Sequence, residues 1–318
     1  MIKYIKLLYG RIEPVRKGVG TPLQTGKRLL CAALTLLMSA VLLLPARNAY
    51  AYTAPEFRNA EFHEAAAQIG DRVKLDISCL DQGYVAVSAV SDRRLKFQVV
   101  KDETTYNYDL PSDGTPGIFP LQGGNGSYRF RVMENVVDKK YTELYSLTCD
   151  VCLQDEFQPF LRPSTYINYT RDSACVRKAA ELAAASSDEL DLVGAIYDYV
   201  CSQVTYDREK AASVKSGYLP VPDETMNSGK GICFDYAALA ASMLRSQGIP
   251  TKMIFGYVAP QGLYHAWTMF YTPPSGWVTV SFEVRGDTWT RMDLTFSANG
   301  ADATFIGDGS NYSDVYYY

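Results

Sequence analysis

Between residues 72 and 153 apolar and polar positions alternate. Val73, Leu75, Ile77 and Cys79 occupy every second place, as do Val85 and Val87, then Leu95, Phe97 and Val99, then Tyr128, Phe130 and Val132. A period of two is the signature of a strand with one face buried. The runs are interrupted at Asp81-Gln82-Gly83, Ser91-Asp92, Ser112-Asp113-Gly114 and Gly123-Gly124-Asn125-Gly126, all turn chemistry. About six such runs predict antiparallel hairpins forming a small, all-β, sandwich-like domain over 52–153. Residues 154–172 hold Pro159, Pro163 and a cluster of Tyr and Thr with neither period, and read as a connector.

The periodicity then changes. Leu192, Ile196 and Val200 recur at intervals of four, and Ser186 and Glu189 have the spacing of a capping box, so 188–204 is expected to be an amphipathic helix. An alanine-rich helix around 173–185 precedes it. Over 233–247, Ala237, Ala240, Ala241 and Leu244 share one helical face, and the run stops at Gly248 with Pro250 beyond. Small side chains on that face predict a close neighbour. Four aromatic-rich apolar runs follow, 252–258, 265–271, 277–284 and 288–294, divided by Gly or Pro turns. They read as an antiparallel sheet, and Tyr316-Tyr317-Tyr318 as a last strand or a frayed end. Helices followed by meandering strands predict an α+β domain over 173–318.

The N-terminus is of another kind. Residues 1–51 carry eight basic side chains and one acid, Glu13, and about 16 uncharged positions run from Leu29 to Leu44 before Ala49-Tyr50-Ala51. This is the layout of a secretory signal peptide with a long basic leader, cut after Ala51. An uncleaved anchor is the rival reading, but the apolar run is short of the roughly 20 residues a bilayer requires. The protein is therefore expected to be secreted or associated with the cell envelope, with no membrane span left after cleavage. The remaining 267 residues hold 23 basic and 34 acidic side chains, a balance that argues against nucleic acid as a partner. Six cysteines remain in them, too few for a disulfide scaffold. Cys149-x-x-Cys152 lacks a second pair or nearby His for zinc and is expected to be a disulfide or two strand residues.

Candidate chemistry narrows quickly, because the chain has two histidines, His63 and His265, and only the second lies in the α+β half. Cys233 stands at the first turn of its predicted helix, behind Ser228-Gly229-Lys230-Gly231. A helix dipole stabilises an anion there by only about 0.3–1 kcal/mol, so a committed thiolate needs a second cation, and protonated His265 is available. An imidazole in that role needs a third group to fix its tautomer and ring plane. Asp293, at the end of a strand that could lie beside the one beginning at His265, is suitable.

These residues carry a resemblance. Gly231-Ile232-Cys233-Phe234-Asp235-Tyr236-Ala237, Tyr264-His265-Ala266-Trp267 and Met292-Asp293-Leu294-Thr295 resemble, in order, the three motifs of the transglutaminase-like superfamily, over roughly 173–310. More closely, the chain is similar to secreted transglutaminase-like proteins of Gram-positive bacteria. The resemblance implies a papain-like α+β core, helices packed on an antiparallel sheet, with Cys233 as nucleophile, His265 as general base and acid and Asp293 as orienting group. Leu294 departs from the family, whose members often have Pro after the Asp. The resemblance also implies an oxyanion hole made by the Cys233 N–H and an aromatic polar side chain from before the Cys. Tyr206 is the candidate, although a half-buried tyrosine at a helix exit would read the same way.

The expected activity is acyl transfer or hydrolysis at amide or peptide bonds of a protein or peptide substrate, including cell-wall peptides, through a thioester and without cofactor or metal. The alternatives are a cysteine peptidase acting on extracellular peptides and a surface binding module that keeps the shape without turnover. Trp267, Tyr264 and Trp277 either line a substrate groove or pack a core.

Overall fold

The computed structural model describes residues 52–259, 262–272, 289–299 and 310–318. Eight strands form here, the named alternating runs falling in β2, β3, β4 and β7 although the first ends at Asp76, before Ile77 and Cys79: β1 (Gln68–Ile69), β2 (Val73–Asp76), β3 (Tyr84–Ala89), β4 (Leu95–Lys101), β5 (Thr104–Leu110), β6 (Gly117–Pro120), β7 (Gly126–Val137) and β8 (Lys140–Val151). They form two antiparallel sheets ordered β1-β2-β3-β6 and β5-β4-β7-β8. Leu75, Val85 and Val87 of the first and Phe97, Val99, Phe130 and Val132 of the second are fully buried, as their alternation requires. The Phe97 and Phe119 rings join the sheets at a centroid separation of 4.6 Å. Cys149 is a half-buried residue of β8 and Cys152 is exposed just beyond it, both free thiols.

Six helices follow among the described residues: α1 (Ala174–Ala185), α2 (Glu189–Gln203), α3 (Arg208–Ser213), α4 (Pro222–Ser228), α5 (Cys233–Ser246) and α6 (Leu294–Ala298). The first, second and fifth were legible in the periodicity, and α3, α4 and α6 are too short to show one. The capping residue of α2 is Asp188, whose carboxylate accepts from the Asp191 N–H at 2.9 Å, rather than Ser186. The Ser186 hydroxyl instead bonds the Leu182 carbonyl and closes α1.

Helix α5 is buried on every side from Asp235 to Ser246. Its alanines let α1, α2 and α4 approach on one side and two strands on the other. Those strands, β11 (Thr251–Val258) and β12 (Leu263–Tyr271), are the centre of an antiparallel sheet ordered β13-β12-β11-β14, with β13 Trp289–Met292 and β14 Tyr312–Tyr317. The tyrosine-rich C-terminus is thus a paired strand. Gly256 permits it, because a Cβ there would stand 2.1 Å from the Ser313 carbonyl oxygen. The predicted run at 277–284, with Trp277, lies outside the described residues.

The described residues from Tyr52 onward form one compact unit with a single large core running from Val73 to Tyr318. The stretch 154–172 contributes to it through Phe160, Leu161, Ile167 and Tyr169, all buried. Arg245 of α5, also buried, donates to main-chain oxygens of Thr251, Arg162 and Tyr318 at 2.8–2.9 Å. Burial pulls its guanidinium down to about 10, and these bonds are what make a cation in the core tolerable. No helix among the described residues is long and apolar enough to cross a membrane.

Candidate active site

The turn into α5 is built by its own sequence. Gly229, at φ +62°, adopts a left-handed conformation that other residues rarely take. At Gly231 a Cβ would come within 2.7 Å of the Asp235 Cβ, so glycine makes room for the Asp235 side chain to fold back. That carboxylate, fully buried, accepts from the Ile232 N–H at 2.8 Å and from the Tyr218 hydroxyl, and pairs with Lys210 Nζ at 2.8 Å. Lys210 also donates to the Tyr218 oxygen at 2.6 Å. Burial would lower the Lys210 ammonium, but its bonds to Asp235 and Tyr218 prevail and raise it. Burial and the bond to Asp235 push Tyr218 up to about 12. The network ties α3 and the loop before α4 to the first turn of α5, and so fixes where Cys233 begins the helix. The acid three positions after the N-cap is a signal the sequence contained; Lys210 and Tyr218 had none, since they come from an aperiodic stretch.

Cys233 is the first residue of α5 and half-buried, with a free thiol. Its backbone N–H is among the four at a helix start that have no intrahelical acceptor. Beside it, the two-residue strands β9 (Thr205–Tyr206) and β10 (Lys230–Gly231) pair in parallel with Tyr206 opposite Gly231. Tyr206 is half-buried, and burial first, then the nearby Cys233 sulfur, raise its hydroxyl above the usual range.

His265 lies in β12 and Asp293 directly after β13, and the two strands pair with Thr268 opposite Met292. This brings His265 Nε2 to 2.9 Å from Asp293 Oδ2, with the histidine 3% and the aspartate 1% exposed. The Cys233 side chain lies near enough to the imidazole to influence its basicity. Burial would lower the histidine's basicity, but hydrogen bonds to Asp293 and Cys233 and their negative charge outweigh it and carry the ring up to about 9. The structure therefore brings together Cys233, His265 and Asp293, from three separated stretches, at one place.

Asp293 has two further partners. It caps α6, accepting the Phe296 N–H at Oδ1 (3.0 Å), and its Oδ2 accepts the Tyr312 hydroxyl at 2.9 Å. The Phe296 ring stacks on the imidazole at 4.5 Å and shields it from water. Leu294 is buried and leaves the aspartate undisturbed. Tyr312 and the capping helix went unforeseen, because α6 is five residues long and Tyr312 lies in a run of tyrosines with no local signal. Of the predicted aromatics, Trp267 is buried beside Ile254 and Val258, whereas Tyr264 is exposed over half its surface. Among the described residues no group of three or more His, Cys, Asp or Glu side chains is placed to hold a metal.

The chain is similar to known proteins to different depths. Residues 176–282 match the family profile of the transglutaminase-like superfamily, which takes in Cys233 and His265 and stops short of Asp293. A protein-glutamine gamma-glutamyltransferase of Pseudomonas aeruginosa is 33% identical over 72 residues, 19% of this chain and 11% of the relative. An uncharacterized protein of Mycobacterium leprae is 27% identical over 185 residues, 55% of this chain and 57% of the relative. The chain thus spans a small part of the first relative and just over half of the second. A solved structure of a candidate cysteine protease from Cytophaga hutchinsonii superimposes with a TM-score of 0.40 at 16% identity, covering 79% of this chain and 73% of that one. The stretch from 176 to 282, with its cysteine at a helix start and its histidine on the adjoining sheet, is the part of this chain that matches the transglutaminase-like superfamily.

Proposed function

We propose that the protein is an exported thiol enzyme that transfers acyl groups from carboxamide or peptide donors. What supports this reading above all is one imidazole bonded to Asp293 at 2.9 Å with Cys233 close enough to act on it. In this reading His265 takes the Cys233 proton as the sulfur attacks, and the Asp293 carboxylate at 2.9 Å favours the resulting imidazolium. The sulfur attacks the substrate carbonyl carbon, and the carbonyl oxygen becomes an oxyanion facing the Cys233 N–H and the Tyr206 hydroxyl. The tetrahedral intermediate collapses to a thioester as His265 hands its proton to the departing amine or ammonia. An incoming amine or water then gives a proton to His265, attacks the thioester and releases the thiolate. Asp293 keeps its charge throughout. With water as acceptor the same cycle is that of a peptidase; with an amine it joins chains. The signal-like pattern at 1–51 supports substrates outside the cell, with glutamine side chains, peptide bonds and cell-wall peptides as candidate donors.

A chloromethylketone or thiol-directed amide probe on the folded protein tests the reading. Labelling at Cys233 that disappears in His265→Ala supports the enzyme. Absence of labelling in the folded wild type supports a binding module instead. Mass spectrometry of secreted proteins with and without the enzyme, seeking isopeptide links or new termini, identifies the acceptor.

A further inference from the structure

A second cavity, of about 640 Å³, lies in the β-rich half, between the chain segment from Pro55 to His63, the turn at Cys79–Gln82, Tyr84 and Arg162. It is remote from the thiol of α5. Tyr52, whose hydroxyl donates to the Gln247 carbonyl at 2.7 Å, and Pro55, in contact with Gly248, dock its wall on the far end of that helix. Fourteen residues at about 1.5 Å each put roughly 20 Å between that end and Cys233.

The cavity is lined by two guanidinium groups, Arg58 and Arg162. Burial and then the like charge of Arg58 lower Arg162, so the two cations sense each other. Neither forms an ion pair among the described residues. Arg162 donates to three neutral oxygens, the Gln82 and Asn59 carbonyls and Gln158 Oε1, at 3.0–3.2 Å. Those bonds orient its fork and leave its charge uncompensated. Arg58 Nη1 is buried without any acceptor, a costly condition for a charged donor. Two guanidinium groups without an ion pair, lining one cavity, favour an oxyanion between them. The rest of the lining chooses which. Glu56 and Glu61 also line it and oppose a dianion, while Pro55 and Phe57 offer an apolar wall. From this we infer that the cavity binds the carboxylate end of an amino acid or short peptide, with Arg58 and Arg162 holding the carboxylate and the apolar wall taking its side chain. The site acts independently of the thiol chemistry and holds whether or not the proposed transfer is correct.

Calorimetric titration of the full chain tests it with four probes: N-acetyl-alanyl-alanine, its C-terminal amide, free alanine and inorganic phosphate. The free dipeptide acid is expected to bind saturably and the amide at least ten-fold more weakly. Binding by alanine as well as, or in place of, the dipeptide acid supports the carboxylate assignment and identifies a free amino acid as a source. Arg58→Gln is expected to weaken acid binding ten-fold or more, and Arg58→Lys by less, with Cys233 labelling unchanged in both. Arg162 is left intact because its three bonds support the fold. Equal binding of acid and amide overturns the assignment, as does preference for phosphate, failure of both the dipeptide acid and alanine to bind, or an Arg58→Gln affinity equal to wild type.

Discussion

The molecule contains two groupings of cysteine, histidine and buried aspartate, and their differences explain why only one is a candidate for catalysis. At Cys233 the imidazole is bonded through Nε2 to Asp293, and the cysteine lies near enough to raise the ring's basicity. At Cys79 both partners crowd a single nitrogen: His63 Nδ1 is 3.1 Å from Asp76 Oδ2 and 3.8 Å from the Cys79 sulfur. A proton that Nδ1 donates to Asp76 leaves that nitrogen no lone pair with which to accept one from sulfur. Asp76 is already held by the His63 and Ser78 N–H groups and the Ser78 hydroxyl at 2.6–2.9 Å. Its task is to close a turn. Cys233 opens a 14-residue helix, whereas Cys79 precedes a three-residue 3-10 turn with almost no dipole. The His63 side chain is 45% exposed, against 4% for His265. What separates a candidate site from a structural knot of the same three residue types is therefore which atoms face which.

The most severe test exchanges each sulfur for oxygen. Cys233→Ser is expected to abolish turnover, by a factor on the order of 10⁴ or more, with the folded state kept, whereas Cys79→Ser retains wild-type turnover. Steady-state rates alongside circular dichroism check this, and equal losses in the two variants would erase the distinction. Next come the carboxylates. Asp293→Asn should lower the rate by about 10³–10⁴ with little change in fold. Asp76→Asn should leave the rate intact and cost about 1–3 kcal/mol of stability, seen in urea denaturation, through its lost bonds. Near-normal activity in Asp293→Asn removes that residue from the mechanism.

Smaller effects sharpen the contrast. Tyr206→Phe removes the proposed oxyanion donor and should reduce kcat about 100-fold with an unchanged rate of Cys233 alkylation; a matching loss in both would make Tyr206 a packing residue. Last, the raised basicity of His265 implies a pH dependence of stability. Its protonated form is favoured in the folded state, so the contribution is complete below pH 6.5, shrinks as pH rises, and is gone above about 9. Denaturation at pH 6 and 9.5 should show this decline in the wild type and a much flatter profile in Asp293→Asn.

Much of the layout was legible before any coordinates. Alternation at Val73, Leu75 and Leu95, Phe97, Val99 marked strands with a buried face, and the spacing of Leu192, Ile196 and Val200 marked a helix, because period reports which side of an element meets the core. The helix start at Cys233 and the strand at His265 followed from the same local rules together with the motif order. Three things did not follow. The Asp235–Tyr218–Lys210 network, the Tyr312 bond to Asp293 and the His63–Cys79–Asp76 knot each join residues whose separation along the chain carries no period and whose neighbours give no signal. Only folding decides that Asp293 reaches His265 Nε2 with Cys233 close by, and that Cys79 and Asp76 share one nitrogen of His63. Local pattern sets the direction of a side chain relative to its own backbone; the partner it meets depends on how distant elements pack, and that is settled by the close fit of the whole core.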